Sequence, residues 1–429
     1  MSNSLLQASP IQSPKRLGDP FDGYFKKGTK WTPRPNGLLD ISNARRWFEV
    51  VGWGSHNDLY TYQQALESKS GPRVQLGGQQ FLMISSYDYL GLIGHPAIEA
   101  AAMEAIREYG TSTGGVRLLV GTTALHRQFE RELAAFKGAE AAMTFSSGYM
   151  ANLGIISSLL GPDDRVIIDA KAHRSIVEAC RLARVPMQRF HHNDPSSLQQ
   201  RLASKPFGRR TLIVVEGVYS MDGDICPLLD IVELKKKHNA FLMVDEAHSF
   251  GVLGATGKGV AEHFGLDSTD VDIWMGSLSK AIPSNGGYVA GGQELIIYLQ
   301  HGAAPFMFSA ALCPAAIAAA RESVHILQRE PERLVQLRHN ADFLRSHLTE
   351  FGYDTGASNS PIIPIIVGAD ETAYRLAREL FGLGIIASAV VKPAVPPGSA
   401  RLRLCATAAQ DEAFLQEVVE GFQQARTST

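Results

Sequence analysis

From residue 142 to residue 290, short apolar runs alternate with stretches of helical character, and no other feature constrains the fold as much. The runs cover residues 142–145, 166–169, 187–190, 212–216, 241–245, 273–275 and 288–290. Alternation of this kind predicts an α/β fold, a largely parallel sheet covered by helices. Ligands in such folds sit beyond the carboxyl ends of the strands. The polar residues that close these runs are therefore the candidates for function.

At 429 residues the chain is too long for one small core, so two lobes are expected. Residues 1–78 read as an N-terminal arm that mixes Gly, Pro and Trp, with one helix-like patch at 43–51. Residues 79–322 read as the large domain, entered through a strand at 81–86 and a helix starting near His95 and Pro96. Residues 323–429 read as a smaller α+β C-terminal domain. In it, Leu334, Leu337, Ala341, Leu344 and Leu348 recur at helical spacing. Asp370 reads as the N-cap of a second helix, with strands at 362–367, 385–391 and 401–405.

Charge excludes some partners. There are 41 basic against 43 acidic residues and no long run of one sign, so neither a nucleic acid nor a membrane surface is indicated, and a small molecule is the expected ligand. Cys180, Cys226, Cys313 and Cys405 lie far apart, which predicts no zinc site, no disulfide framework and a reducing, cytoplasmic setting. The stretch up to Pro20 lacks the apolar core of a signal peptide and is expected to be mobile. Residues 303–320 carry no charge, but Pro305, Ser309, Pro314 and many alanines predict a loop and a tightly packed helix at a core or subunit interface rather than a membrane span.

The chemistry concentrates at the run ends. Residues 271–280 read as a buried strand, a small-residue loop and then Lys280, with no second charge through Gly287. A lysine is most often a solvated charge, but one held partly desolvated has a lowered pKa and acts as an amine nucleophile toward an aldehyde. Ser146, Ser147, Gly148 and Tyr149 stand between a strand and a helix; they make either a plain N-cap or an anion site suited to a phosphate ester. Residues 254–259 miss the nucleotide P-loop pattern, with Val252 and Gly259 at required positions.

Asp245 ends the most apolar run of the chain, either as a helix cap or as the partner of a protonated pyridine nitrogen. His248 is either a core imidazole or a second group in the same cavity, and Ser220 supplies a hydroxyl at similar depth. His173 follows another strand, where an imidazole is more often structural but is also able to lie flat on an aromatic ring. His191 and His192 are adjacent rather than a helical turn apart, and read as surface or loop residues, not metal ligands. Arg401 and Arg403 share one face of a strand, where a guanidinium can hold a carboxylate bidentately; for one of them an exposed strand face is the expectation.

Together these features describe a pyridoxal phosphate site, and the chain resembles the α-oxoamine synthases of the fold-type I pyridoxal phosphate enzymes from about Tyr60 to its last helix. The resemblance implies that Lys280, in Gly-Ser-Leu-Ser-Lys, is the Schiff-base lysine, and that Asp245, in Val-Asp-Glu-Ala-His, pairs with the pyridine nitrogen. It implies contacts from His248 and Ser220 to the ring oxygen, and His173 stacked on the ring. Ser147, Gly148, Tyr149 and Ser277 would bind the phosphate, Ser309 would come from the other subunit of a homodimer, and Arg403, with Arg401 in reserve, would take the substrate carboxylate. No metal is implied. Two departures stand out: Tyr87 before Asp-Tyr-Leu-Gly, where several members have Asn, and Pro283 in place of a usual glycine.

The implied reaction is decarboxylative condensation of a small amino acid with an acyl thioester, on coenzyme A or an acyl carrier protein, to an α-amino ketone, carbon dioxide and free thiol. The rivals are another fold-type I reaction, such as amino transfer or decarboxylation, and a non-catalytic subunit of a synthase heterodimer.

Overall fold

The computed structural model describes residues 17–25, 31–204 and 209–427. The expectation of a mobile stretch through Pro20 therefore falls mostly outside the described residues. In chain order the elements are α1 (Ser42–His56), β1 (Arg73–Leu76), β2 (Gln79–Met83), α2 (Pro96–Tyr109), α3 (Ala124–Lys137), β3 (Ala141–Phe145), α4 (Gly148–Leu159), β4 (Arg165–Asp169), α5 (Arg174–Ala183), β5 (Met187–Phe190) and α6 (Pro195–Ala203). There follow β6 (Thr211–Glu216), α7 (Leu228–Lys237), β7 (Phe241–Asp245), α8 (Val260–Phe264), β8 (Ile273–Ser277), β9 (Gly287–Gly291), α9 (Gln293–Gly302), α10 (Ala304–Met307), α11 (Pro314–Arg329) and α12 (Glu332–Glu350). The last are β10 (Ile362–Gly368), α13 (Asp370–Gly382), β11 (Ile385–Ile386), β12 (Ser388–Val390), β13 (Ala400–Cys405) and α14 (Glu412–Thr427).

Two compact units emerge. One holds the described residues up to Ser85, Ile366–Arg403 and the chain from Gln416 on; the other holds Ser86–Ile365 and Leu404–Leu415. In the first, β1 and β2 form an antiparallel hairpin closed by Gly77 and Gly78. Both glycines have positive φ, +57° and +69°, which a two-residue turn matching the twist of the strands requires. β11 pairs parallel with β2, and β12 pairs antiparallel with β13. The stretch 385–391, expected as one strand, is thus two pieces in two sheets. Asp370 is the first helical residue of α13 rather than its cap, which is Ala369.

The second unit is built on a seven-stranded sheet of order β3-β9-β8-β7-β6-β4-β5, in which only β9 runs antiparallel to its neighbours. The apolar runs are this sheet. Val166, Ile167, Ile168, Leu212 to Val215 and Leu242 to Val244 are all buried, as strands covered on both faces must be. Each such side chain contributes roughly 1.5–3 kcal/mol on burial. Ile155 and Ile156 of α4 and Ile176 and Val177 of α5 pack into the same core.

The chain leaves β4 toward β5 on one side, then passes through β6, β7 and β8 on the other. The crevice between β4 and β6, at their carboxyl ends, is therefore the switch point where such sheets take ligands. Among the described residues no helix is long and apolar enough to cross a membrane. The uncharged stretch 303–320 instead covers α10 and the start of α11, where Ile317 and Ala320 are buried.

Candidate active site

Parallel register brings the carboxyl ends of β4, β6, β7 and β8 to one edge of the sheet, with Glu216 opposite Asp245 and Asp245 opposite Met275. Ser277 faces Gly287 across β8 and β9, and Gly287 faces Phe145 at the end of β3, which sets the start of α4 at the same edge. All of the expected site residues except Arg401 and Arg403 lie in this second unit.

Asp245 is buried and doubly held. Its Oδ2 accepts from Asn152 Nδ2 at 2.9 Å, and its Oδ1 accepts from the Ala247 amide at 2.9 Å. The Asn152 amide also donates to Ser175 Oγ at 2.9 Å; that hydroxyl lies 2.7 Å from His173 Nδ1, and the His173 amide donates to Glu216 Oε1 at 2.6 Å. One chain of hydrogen bonds therefore ties the ends of β4, β6 and β7 together. Burial, then the negative charge of Asp245, hold the Glu216 carboxyl well above its usual range. Asp245 thus keeps its place beside a carboxyl that favours its neutral form.

His248 is buried, with Nδ1 2.8 Å from the Tyr89 hydroxyl and its ring edge-on to Tyr87 at 6.0 Å between centroids. Lys280 places Nζ 5.1 Å from the centre of the same Tyr87 ring. A cavity of about 300 Å³ opens there, lined among others by Tyr87, Asp88, Ser279, Lys280 and Pro283. Both departures from the family pattern, Tyr87 and Pro283, line the cavity of the lysine.

The phosphate-type cradle is also assembled. The Ser147 hydroxyl caps α4 through the Met150 amide at 3.1 Å, which leaves the Gly148 and Tyr149 amides of this twelve-residue helix to face an anion. A Cβ on Gly148 would stand 3.4 Å from Ser277 Cβ, so the glycine lets the helix start approach β8. Ser277 is buried, with its hydroxyl 2.8 Å from Ser279 Oγ. The Tyr149 hydroxyl is bonded to Glu178, so only its backbone amide is available to the cradle. Ser220 sits half-buried on the loop after β6, and Ser309 half-buried after α10, beside the bridge between Val116 and Ala310.

Arg403 belongs to the first unit. It and Arg401 are both 4% exposed, so neither occupies the exposed strand face expected for one of them: every residue of β13 is buried. His191 is exposed and His192 half-buried, both on the loop after β5 as expected, and His192 is bound between two aspartates.

Sequence reasoning missed Asn152, Tyr89 and Glu216. The first had a signal, an amide inside the apolar stretch 150–156. These groups fit pyridoxal phosphate: an amide and hydroxyl cradle for an ester phosphate, a fixed buried carboxylate for a protonated ring nitrogen, and a lysine on a cavity. Asn152 Oδ1, buried without a hydrogen-bond partner among the described residues, marks unsatisfied acceptor capacity beside that carboxylate.

Comparison with known proteins agrees. The family model of aminotransferase class I and II matches residues 79–422. The chain is 43% identical over 366 residues to an 8-amino-7-oxononanoate synthase from Symbiobacterium thermophilum, covering 85% of this chain and 93% of that one. It is 40% identical over 362 residues to a serine palmitoyltransferase from Bacteroides thetaiotaomicron, covering 84% and 92%. The structure of a serine palmitoyltransferase variant from S. paucimobilis, with a bound PLP-myriocin aldimine, superposes with a TM-score of 0.88 at 33% identity, covering 91% of this chain and 99% of that one. The chain belongs to the aminotransferase class I and II family and, within it, to the α-oxoamine synthases, fold-type I acyltransferases that depend on pyridoxal phosphate.

Proposed function

We propose that this enzyme joins a small amino acid to an acyl thioester, with loss of the amino acid's carboxyl group as carbon dioxide and release of an α-amino ketone and a free thiol. The observation that carries the reading is the convergence, at one sheet edge, of a lysine on a cavity, a carboxylate fixed by Asn152, and the α4 cradle.

When bound, pyridoxal phosphate supplies a ring that takes up the electron pair left on the amino acid's α carbon. Lys280 would hold the cofactor at Nζ and would accept the substrate's α proton at the same atom. Asp245 pairs with the protonated ring nitrogen and keeps that proton in place. Ser147, Gly148, the Tyr149 amide and Ser277 hold the phosphate, and His248 and Ser220 hold the ring oxygen. His173 covers the ring and orients the carboxylate or acyl carbonyl. Arg403 as the anchor of the substrate carboxylate rests on the resemblance.

A homodimer with Ser309 contributed by the partner subunit is supported by Phe308, Leu119 and Val120, apolar and each at least 75% exposed around the Val116 to Ala310 bridge. The cytoplasm as the compartment rests on the wide spacing of the four cysteines, Cys180, Cys226, Cys313 and Cys405, along the chain.

The test is a panel of amino acids, each offered with acyl-coenzyme A or acyl carrier protein. Equal amounts of thiol and carbon dioxide, dependent on one amino acid, are expected. Transfer of the amino group to a keto acid without thiol release would overturn the reading.

A further inference from the structure

His192 stands two residues beyond β5, in the crevice between β4 and β6. Its Nδ1 lies 2.9 Å from Asp169 Oδ1, at the end of β4, and its Nε2 lies 2.7 Å from Asp224 Oδ2, on the loop that follows β6. An ionised carboxylate only accepts, so two carboxylate partners require hydrogen on both ring nitrogens, and the ring is an imidazolium. Asn193 repeats the bridge. Its backbone amide donates to Asp169 Oδ2 at 2.9 Å, and its side-chain amide donates to Asp224 Oδ2 at 2.9 Å and to the Ile225 carbonyl at 3.2 Å.

The bridged loop is the one that bears Ser220. Within it the Tyr219 amide donates to the Asp224 carbonyl at 3.0 Å and the Gly223 amide to the Tyr219 carbonyl at 2.8 Å. The buried Tyr219 ring meets the His192 ring edge to face, 4.5 Å between centroids. Ser220 is therefore placed by neighbours on both sides that touch or bond to the imidazolium directly.

We propose that His192 is a positioning residue of the site: clamped between Asp169 and Asp224, it fixes the loop from Val218 to Ile225 and with it the Ser220 hydroxyl. This rests on the role proposed above for Ser220.

The groups facing the imidazolium are Asp169 from β4, and Asp224 and the Tyr219 phenol from the loop. Also near are the Lys171 to Asp222 ion pair and the adjacent His191 ring. Burial alone would lower the imidazole's pKa, but hydrogen bonds and charge from Asp169 and Asp224 outweigh it and raise it to about 9. The unfolded value is near 6.5, so the clamp's contribution is whole below that pH and is lost as pH rises through about 9.

The test is hydrogen exchange in the apoenzyme, followed by mass spectrometry on peptides spanning residues 217–226 and corrected for intrinsic rates. In the unaltered protein, exchange in this loop should quicken about tenfold between roughly pH 8 and pH 10. His192→Gln should exchange fast at both pH values. In the holoenzyme, the cofactor's visible band should show a transition near pH 9 that His192→Gln lacks. Exchange that stays flat with pH in the unaltered protein, or a variant that matches it at every pH, would overturn the proposal. The unaltered pH series decides the matter even if the variant does not fold. Loop exchange in the apoenzyme is independent of the reaction catalysed, so failure of this proposal and failure of the condensation reading give separate results.

Discussion

Asn152 Nδ2 lies 2.9 Å from Asp245 Oδ2, so the helix that begins at the anion cradle also holds the carboxylate that closes β7. Both hydrogens of the amide are used, the second on Ser175. Asn152→Leu keeps the volume and removes both donors. Leaving the Asp245 oxygen unpaired should lower apoenzyme stability by about 1–3 kcal/mol, read as a shift in the urea midpoint. A midpoint unchanged from the parent would show that water replaces the amide without cost.

Gly287 touches the same helix start. A Cβ there would lie 2.6 Å from Gly148 Cα and from Gly148 N, both backbone atoms. Gly287→Ala should therefore push α4 away from β9 and weaken cofactor binding at least tenfold, measured by titrating apoenzyme with pyridoxal phosphate. Gly148→Ala meets mainly the flexible end of Met275, at 3.1 Å, and should lose less. The reverse order would contradict the geometry.

The seven runs were legible because strands buried on both faces show continuous apolar text. Met187–Phe190 and Phe241–Asp245 begin and end as expected. β8 continues to Ser277 because Gly276 and Ser277 extend the ladder without being apolar. The residues at the run ends were legible for the same reason: the strand fixes where they stand. Their partners were not. Asn152 and Asp245 are 93 positions apart, and Tyr89 and His248 are 159 apart, distances over which periodicity carries no information. Nor does alternation mark an exposed face on β13, where every position is buried.

His126 predicts an acid limb in stability. Burial, then the Arg117 charge, lowers its imidazole to about 4. Nε2 pairs with the Leu312 carbonyl at 3.1 Å and Nδ1 with the Thr123 hydroxyl at 2.7 Å, a pattern a neutral ring satisfies. The unfolded chain takes up this proton below about pH 6.5 and the folded chain only near pH 4, so stability is lost between them, by up to about 3 kcal/mol. His126→Gln should flatten that limb in thermal unfolding measured from pH 7 to pH 4. An identical slope in both proteins would count against it.

The central claim is that Lys280 carries the cofactor. Borohydride reduction of the holoenzyme, followed by peptide mapping, fixes a pyridoxyl group on whichever lysine bears it. The account predicts the label on the peptide containing Ser279 and Lys280. A label on another lysine, or none at all, would contradict it.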